Sequence, residues 1–157
     1  MPLKLREPIN AFGLDLFNVA SSQTKDNMFL SAFSVATALG MTYPGAKGDT
    51  AKELAGVMHF DDASVADVVS AFEKLAGRFD PAGVKDGAPK VRLANGVWAT
   101  ADRKVAPEFA KIVEGSFHGA IKRVDFRKDA EGARKDINAW VEGKTNKRIV
   151  DLIARGM

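Results

Sequence analysis

The search for chemistry starts with the titratable and nucleophilic side chains. Cysteine is absent, which removes thiolate metal sites, iron–sulfur clusters, disulfides and a cysteine nucleophile. The two histidines, His59 and His118, are far apart and neither belongs to an H-x-x-x-H or H-E-x-x-H pattern. Each reads as a solvated or hydrogen-bonded surface histidine rather than a metal ligand or catalytic base. Gly40 to Lys47 superficially resembles a phosphate loop, but Ala46 separates glycine from lysine and the segment follows a helix, whereas a phosphate loop follows a strand. Asp61-Asp62 are adjacent on a turn and do not face one substrate. Arg134, Lys135, Lys144, Lys147 and Arg148 form a basic set that reads as a solvated helix face. Trp98 and Trp140 read as core or sheet-covering aromatics. No catalytic constellation emerges, so an enzyme is not expected and a binding or structural role is the default. No cofactor is expected.

The chain that must position these residues has 157 of them, 46% hydrophobic and 27% charged, enough to bury a core and unlike a disordered or coiled-coil composition. The net charge of +3 is spread too thinly for the dense basic stripe of a nucleic-acid binder. The longest apolar run, Ser34 to Tyr43, is too short to cross a bilayer. Met1 to Asn10 holds charges and no apolar leader core, and no N-x-Ser/Thr sequon occurs. Neither a nucleic-acid nor a membrane partner is therefore expected. The chain as it stands reads as cytoplasmic, or as extracellular if a leader precedes it.

Residues 9–20 repeat Ile9, Phe12, Leu16 and Val19 at helical spacing. Met28 to Leu30 reads as a short strand. A helix from about Phe33 to Thr42, capped by Ser31 or Ser34, is apolar almost all round, the mark of a helix inside a larger protein. After the turn at Tyr43 to Gly48, Thr50 with Glu53 and Ser64 with Asp67 read as capping boxes opening two more helices. The second carries Val65, Val68, Val69, Phe72 and Leu75. Asp80 to Pro89 reads as a loop and residues 91–100 as a strand. A hairpin at Asn95-Gly96 is rejected because the alternation continues through it. Pro107 opens a helix to about Phe117, 121–126 is a second strand, and Asp129 caps a last helix with Ala133, Ile137, Trp140 and Val141 buried. Asn146 is a left-handed end to it. About six helices and three short strands result, too few strands for a self-sufficient sheet. The chain reads as part of something larger.

Three stretches resemble one family. Asn27-Met-Phe-Leu-Ser-Ala-Phe-Ser-Val-Ala-Thr-Ala-Leu-Gly-Met41 is similar to the serpin segment N-(I/V)-F-x-S-P-x-S-I-x-x-A-L-x-M. Gly45-Ala-Lys-Gly-Asp-Thr50 is similar to the family's G-A-K-G-x-T turn. Val124-Asp-Phe126, Ala133 to Glu142 and Thr145 to Leu152 resemble the V-D-F, I-N-x-W-V-E and T-x-x-K-I-x-D-L series, and Asn10 to Phe17 resembles the first helix. The resemblance implies an α+β fold, the N-terminal portion of one serpin domain over residues 1–157: helices A to F, strand 6 of sheet B, and strands 2 and 1 of sheet A, with both sheets incomplete.

The resemblance further implies a serine, or cysteine, protease inhibitor that acts by suicide trapping. The protease attacks a reactive-centre loop, and the cleaved loop inserts into sheet A before deacylation. That loop is not in this chain, so the chain alone is expected not to inhibit. Ser31 and Ser34 match the family's shutter serines, with simple N-capping as the equal alternative. Asn138 and Trp140 match the helix F motif, with ordinary packing as the alternative for Trp140. The usual Ser-Pro is Ser31-Ala32 here, which loosens the helix start modestly. A different function class is a truncated serpin-like protein whose unpaired strands associate with themselves, with a partner, or with a C-terminal part. A small anion-binding module using the basic helix face is the third.

Overall fold

The computed structural model describes residues 5–60, 63–79, 91 and 93–156. The Asp61-Asp62 pair, Arg92 and the expected loop at 80–89 lie outside them. The chain folds as two compact units, residues 1–75 and 76–157.

The first unit is helical. Helix α1 is Arg6–Ser22 and α2 is Ala32–Thr42; a 3-10 turn at Tyr43–Gly45 leads to α3, Gly48–Val57, and α4 is Val65–Gly77. Helix α1 is longer than its apolar repeat, and only the first half of that repeat is covered: Ile9 and Phe12 are buried while Val19 is 59% exposed. It meets α2 where a side chain at Gly13 would strike the Ala32 Cβ at 2.6 Å. The core of the unit is aromatic. Tyr43 tilts against Phe60 at 5.3 Å, and Phe60 meets Phe72 edge-on at 6.3 Å, with both phenylalanines 1% exposed.

Two local expectations are corrected. Helix α3 begins at Gly48 (φ +55°) after Lys47, with no side-chain cap, so Thr50 lies inside the first turn instead of capping it. Glycine reaches that left-handed angle without a Cβ penalty, and Asp49 meets the positive end of the helix dipole. Residues 28–30 carry no ladder, because a strand exists only through a neighbour's backbone groups and none among the described residues pairs with them. Ser64 does cap α4: its Oγ accepts from the Asp67 N–H at 3.2 Å and donates to the Asp67 carboxylate at 2.6 Å.

The second unit is a β-α-β-α arrangement. Strand β1 (Gly96–Thr100) and strand β2 (Ala120–Val124) pair in parallel, Gly96 opposite Ala120 and Thr100 opposite Val124. Helix α5 (Pro107–Gly115) connects them and α6 (Ala130–Lys144) follows. Parallel neighbours need such a crossover. The expected strand over 91–100 starts only at Gly96, since β2 offers it five partners, and Asn95-Gly96 is a strand entry and not a hairpin. Pro107 is the first residue of α5. Asp129 caps α6 by accepting from the Gly132 N–H at 2.8 Å. Val113, Phe117, Val124, Ala133, Ile137 and Val141 are the unit's buried apolar side chains.

The tightest approach in the first unit is at Gly40, where a Cβ would lie 2.4 Å from the Phe72 ring. Because that ring is pinned in the core, Gly40→Ala is expected to lower stability by about 1–3 kcal/mol. The midpoint of urea unfolding measures it.

Candidate functional site

Ser31 and Ser34 lie at the start of α2. Ser31 is extended (φ −110°, ψ 101°) and is the N-cap. Its Oγ accepts from the Ser34 N–H at 3.2 Å and from the Ser34 hydroxyl at 3.0 Å. The cap reading of Ser31 therefore holds in this state. Ser34 is a donor to that cap and is not itself the cap. Both serines are exposed. A hydroxyl carries one donor and two acceptor sites, so the pair can exchange one partner for another without leaving an unpaired group.

Asn138 and Trp140 lie on α6, two residues apart, and face different neighbours. Trp140 meets Trp98 of β1 edge-on, ring centres 5.0 Å apart at 83°. The Lys144 ammonium lies 6.0 Å from the Trp140 ring centre, within cation–π range. Gly96 makes room for the contact: a Cβ there would come within 2.6 Å of the Trp98 ring and 3.3 Å of Trp140. The buried Trp98 Nε1–H has no hydrogen-bond partner among the described residues.

Asn138 is 7% exposed and uses its amide on the chain that returns along α6. Its Nδ2 donates to the Ile153 carbonyl at 2.9 Å and its Oδ1 accepts from the Ile153 N–H at 2.9 Å. That reciprocal pair is what a neighbouring strand residue would offer. Arg134, one turn earlier, donates from Nη1 to the same carbonyl at 2.9 Å. Its guanidinium is held fork-on-fork by Glu131, at 2.8 and 3.0 Å. The solvated-face reading of the basic set is thus wrong for Arg134, whose side chain is only 11% exposed, and fits Lys135, Lys144, Lys147 and Arg148, which are exposed. The i, i+4 spacing of Arg134 and Asn138 was the available signal.

His59 takes the hydrogen-bonded surface role expected of it. It is the left-handed residue (φ +54°) that closes α3, with its own N–H on the Gly56 carbonyl and the next N–H, of Phe60, on the Ala55 carbonyl. Its Nε2 lies 2.7 Å from the Asp15 carboxylate of α1. Among the described residues no cluster of three or more His, Asp or Glu could hold a metal, and no helix is long and apolar enough to cross a membrane.

Three comparisons bear on this geometry. Residues 7–157 match the family model Serpin (serine protease inhibitor). Leukocyte elastase inhibitor A of Rattus norvegicus is 37% identical over 147 residues, which are 93% of this chain and 38% of that protein. Among solved structures, Serpin48 of the insect Tenebrio molitor superposes with a TM-score of 0.83 at 26% identity, covering 96% of this chain and 40% of that one. Human glycosylated kallistatin superposes with a TM-score of 0.88 over 98% of this chain and 41% of that one; at 21% identity it speaks for the fold alone. The chain thus spans about two fifths of the length of the proteins it matches.

Two outcomes follow from the two ends of this geometry. Ser31→Ala removes the cap and is expected to cost about 0.5–2 kcal/mol, whereas Ser34→Ala keeps the backbone bond and costs less; urea unfolding of both variants separates them. The Arg134 hydrogen bonds hold the Glu131 carboxyl below its ordinary value. A carboxylate whose folded pKa is depressed contributes stability above its ordinary pKa, and that contribution is lost as pH falls through the depressed value. Wild type minus Glu131→Gln stability, measured from pH 7 to pH 3, is expected to be flat at neutral pH and to fall only on the acid side.

Proposed function

The chain belongs to the serpin family, and on that premise we propose that it is the N-terminal part of a single serpin domain whose full-length form traps serine endopeptidases. The observation that carries this reading is the 37% identity to leukocyte elastase inhibitor A over 93% of the chain. In that reaction the protease serine attacks the carbonyl of the scissile bond in the reactive-centre loop. The amide bond breaks, the new amino terminus departs with the proton, and an ester to the protease remains. Insertion of the cleaved loop into sheet A then carries the protease away before water can reach the ester.

The residues of this chain serve that reaction as scaffold. Strands β1 and β2 supply strands 2 and 1 of the sheet that must open. Helix α6 lies on them through Trp98 and Trp140 and has to yield as the sheet expands. Ser31 and Ser34, whose hydroxyls already share one hydrogen bond, are the pair that changes partners as the sheet opens. None of these residues meets a protease, so the reactive loop and its specificity lie outside residues 1–157.

A second reading rests on a different observation. Leu14, Phe17 and Val19 on α1 and Phe29 beyond it are between 50% and 99% exposed, and surfaces of that kind seek partners. It describes a short serpin-like protein that works by association.

The two readings separate on two measurements. Incubated with chymotrypsin-, trypsin- or elastase-like enzymes, the 157-residue chain is expected to give no complex stable to dodecyl sulfate. Such a complex would overturn the scaffold role. Protein from its natural source is expected to have more than twice the 16.9 kDa mass of this chain. A mass near 16.9 kDa would overturn the inhibitory reading in favour of association.

A further inference from the structure

The chain beyond α6 is held in an unusual way. Thr145 ends the helix, and the chain reverses through Asn146 and Lys147, both left-handed at φ +51° and +59°. It then runs back to Asp151, left-handed again at φ +52°, and reaches Ile153 beside Asn138 and Arg134. Three left-handed residues other than glycine lie within six positions. Asparagine and aspartate tolerate that region because their short side chains bond locally, but a lysine does not share that relief. Of the segment's apolar side chains Ile153 is partly buried, while Ile149, Val150 and Leu152 are 45%, 58% and 57% exposed. What holds it is polar and sits at two places. The turn is tied to the end of α6 by the Lys147 N–H on the Glu142 carbonyl at 2.8 Å, the Arg148 N–H on the Thr145 carbonyl at 3.0 Å and the Ile149 N–H on the Thr145 hydroxyl at 3.2 Å. The far end is held at Ile153. Ile153 gives its N–H to Asn138 and takes donors from Asn138 and Arg134 on its carbonyl. Asp151 adds a 3.4 Å contact to Asn138 Nδ2 and a 3.7 Å ion pair to Arg134.

We infer that residues 146–153 are a strained strap on α6, with its hinge at Asn146–Lys147 and its catch at Ile153, and that the strap opens while α6 stays seated on Trp98. Strained backbone persists only where surrounding contacts over-determine it. Here those contacts are a few part-buried hydrogen bonds at the end of an otherwise exposed segment, the kind of structure that opens below the global unfolding free energy. The seat of α6 uses other side chains: Trp140 on Trp98, with Ala133, Ile137 and Val141 buried. Catch and seat share a helix but no side chain, so one can be released without the other. The strap thereby sets the path of the chain as it leaves α6 and can change that path. This inference stands whether or not the full-length protein inhibits a protease.

Native-state amide exchange in the full chain tests it. The Ile153 N–H, bonded to Asn138, reports the catch. The Ala101 and Ala120 N–H groups, bonded to the Val124 and Asn95 carbonyls at 2.9 Å, report the β1–β2 pair on which α6 is seated. In wild type Ile153 is expected to exchange more slowly than a free peptide but at least about tenfold faster than Ala101 and Ala120. Arg134→Lys, which keeps the charge and loses the fork, is expected to speed Ile153 about tenfold while the other two move less. Asn138→Ala is expected to bring Ile153 close to the free-peptide rate. Lys147→Gly relieves the hinge and is expected to slow Ile153 about threefold. Equal rates at all three amides in wild type would overturn independent opening. Insensitivity of Ile153 to Arg134→Lys and Asn138→Ala would overturn the catch, and no slowing in Lys147→Gly would overturn the strain.

Discussion

The second unit depends on one contact, the edge-on meeting of Trp98 and Trp140. Two parallel strands of five residues are not stable by themselves, and a parallel pair ordinarily has both faces covered. Helix α6 covers one face, and the tryptophans fix where it lies. Their demand for space reaches into the backbone: Gly96 has to be glycine because any side chain would collide with the Trp98 ring. It has a polar cost as well. The Trp98 indole N–H is buried without an acceptor among the described residues, a cost of about 1–3 kcal/mol. An aromatic pair gains about 0.5–1.5 kcal/mol beyond its burial, so ring contact alone matches the lost hydrogen bond only at the low end of that cost. Apolar area buried with the rings has to make up the difference.

Once α6 is seated, its other positions are placed without further choice. Turning 100° per residue puts Ala133, Ile137 and Val141 inward, and Arg134 and Asn138 on an adjoining stripe. That stripe receives Ile153. The seat is apolar and spread over several rings and methyl groups, whereas the catch is polar and concentrated on one residue's N–H and C=O. An apolar contact weakens gradually as surfaces part. A reciprocal hydrogen-bonded pair is either made or broken, and once the segment lifts water can replace both bonds. The two stripes of α6 therefore respond differently to the same disturbance.

What was legible in the sequence was mostly local. Asp129, Ser64 and Asn146 end or begin helices through atoms within a few residues, and each does so here. Pro107 did the same for α5. The misread places depend on distant partners. Val91 to Asn95 alternates like a strand, yet β2 is long enough to pair only from Gly96. Met28 to Leu30 has strand composition and no ladder. Thr50 has cap chemistry, but Gly48 can take an angle that starts the helix three residues earlier. The candidate site divides along the same line. Ser31 is a cap by local rules, and Asn138 and Trp140 were picked out only by their likeness to a family motif. Arg134 was misread because a cation on a helix flank is usually solvated; its i, i+4 spacing puts it on the same stripe as Asn138 but does not announce that the chain will return to cover that stripe.

The serine pair and α6 also differ in what can move them. Ser31 is fixed from below by α2, whose first turn it caps, so a change of partner there has to leave the Ser34 N–H satisfied or accept the cost of an open helix start. The Ser34 hydroxyl has no such duty. It donates to Ser31 at 3.0 Å and can turn away without uncapping anything. Of the two hydroxyls, that of Ser34 is thus free to turn, and that of Ser31 is held by the cap. A change of partner at the Ser34 hydroxyl therefore leaves the start of α2 intact.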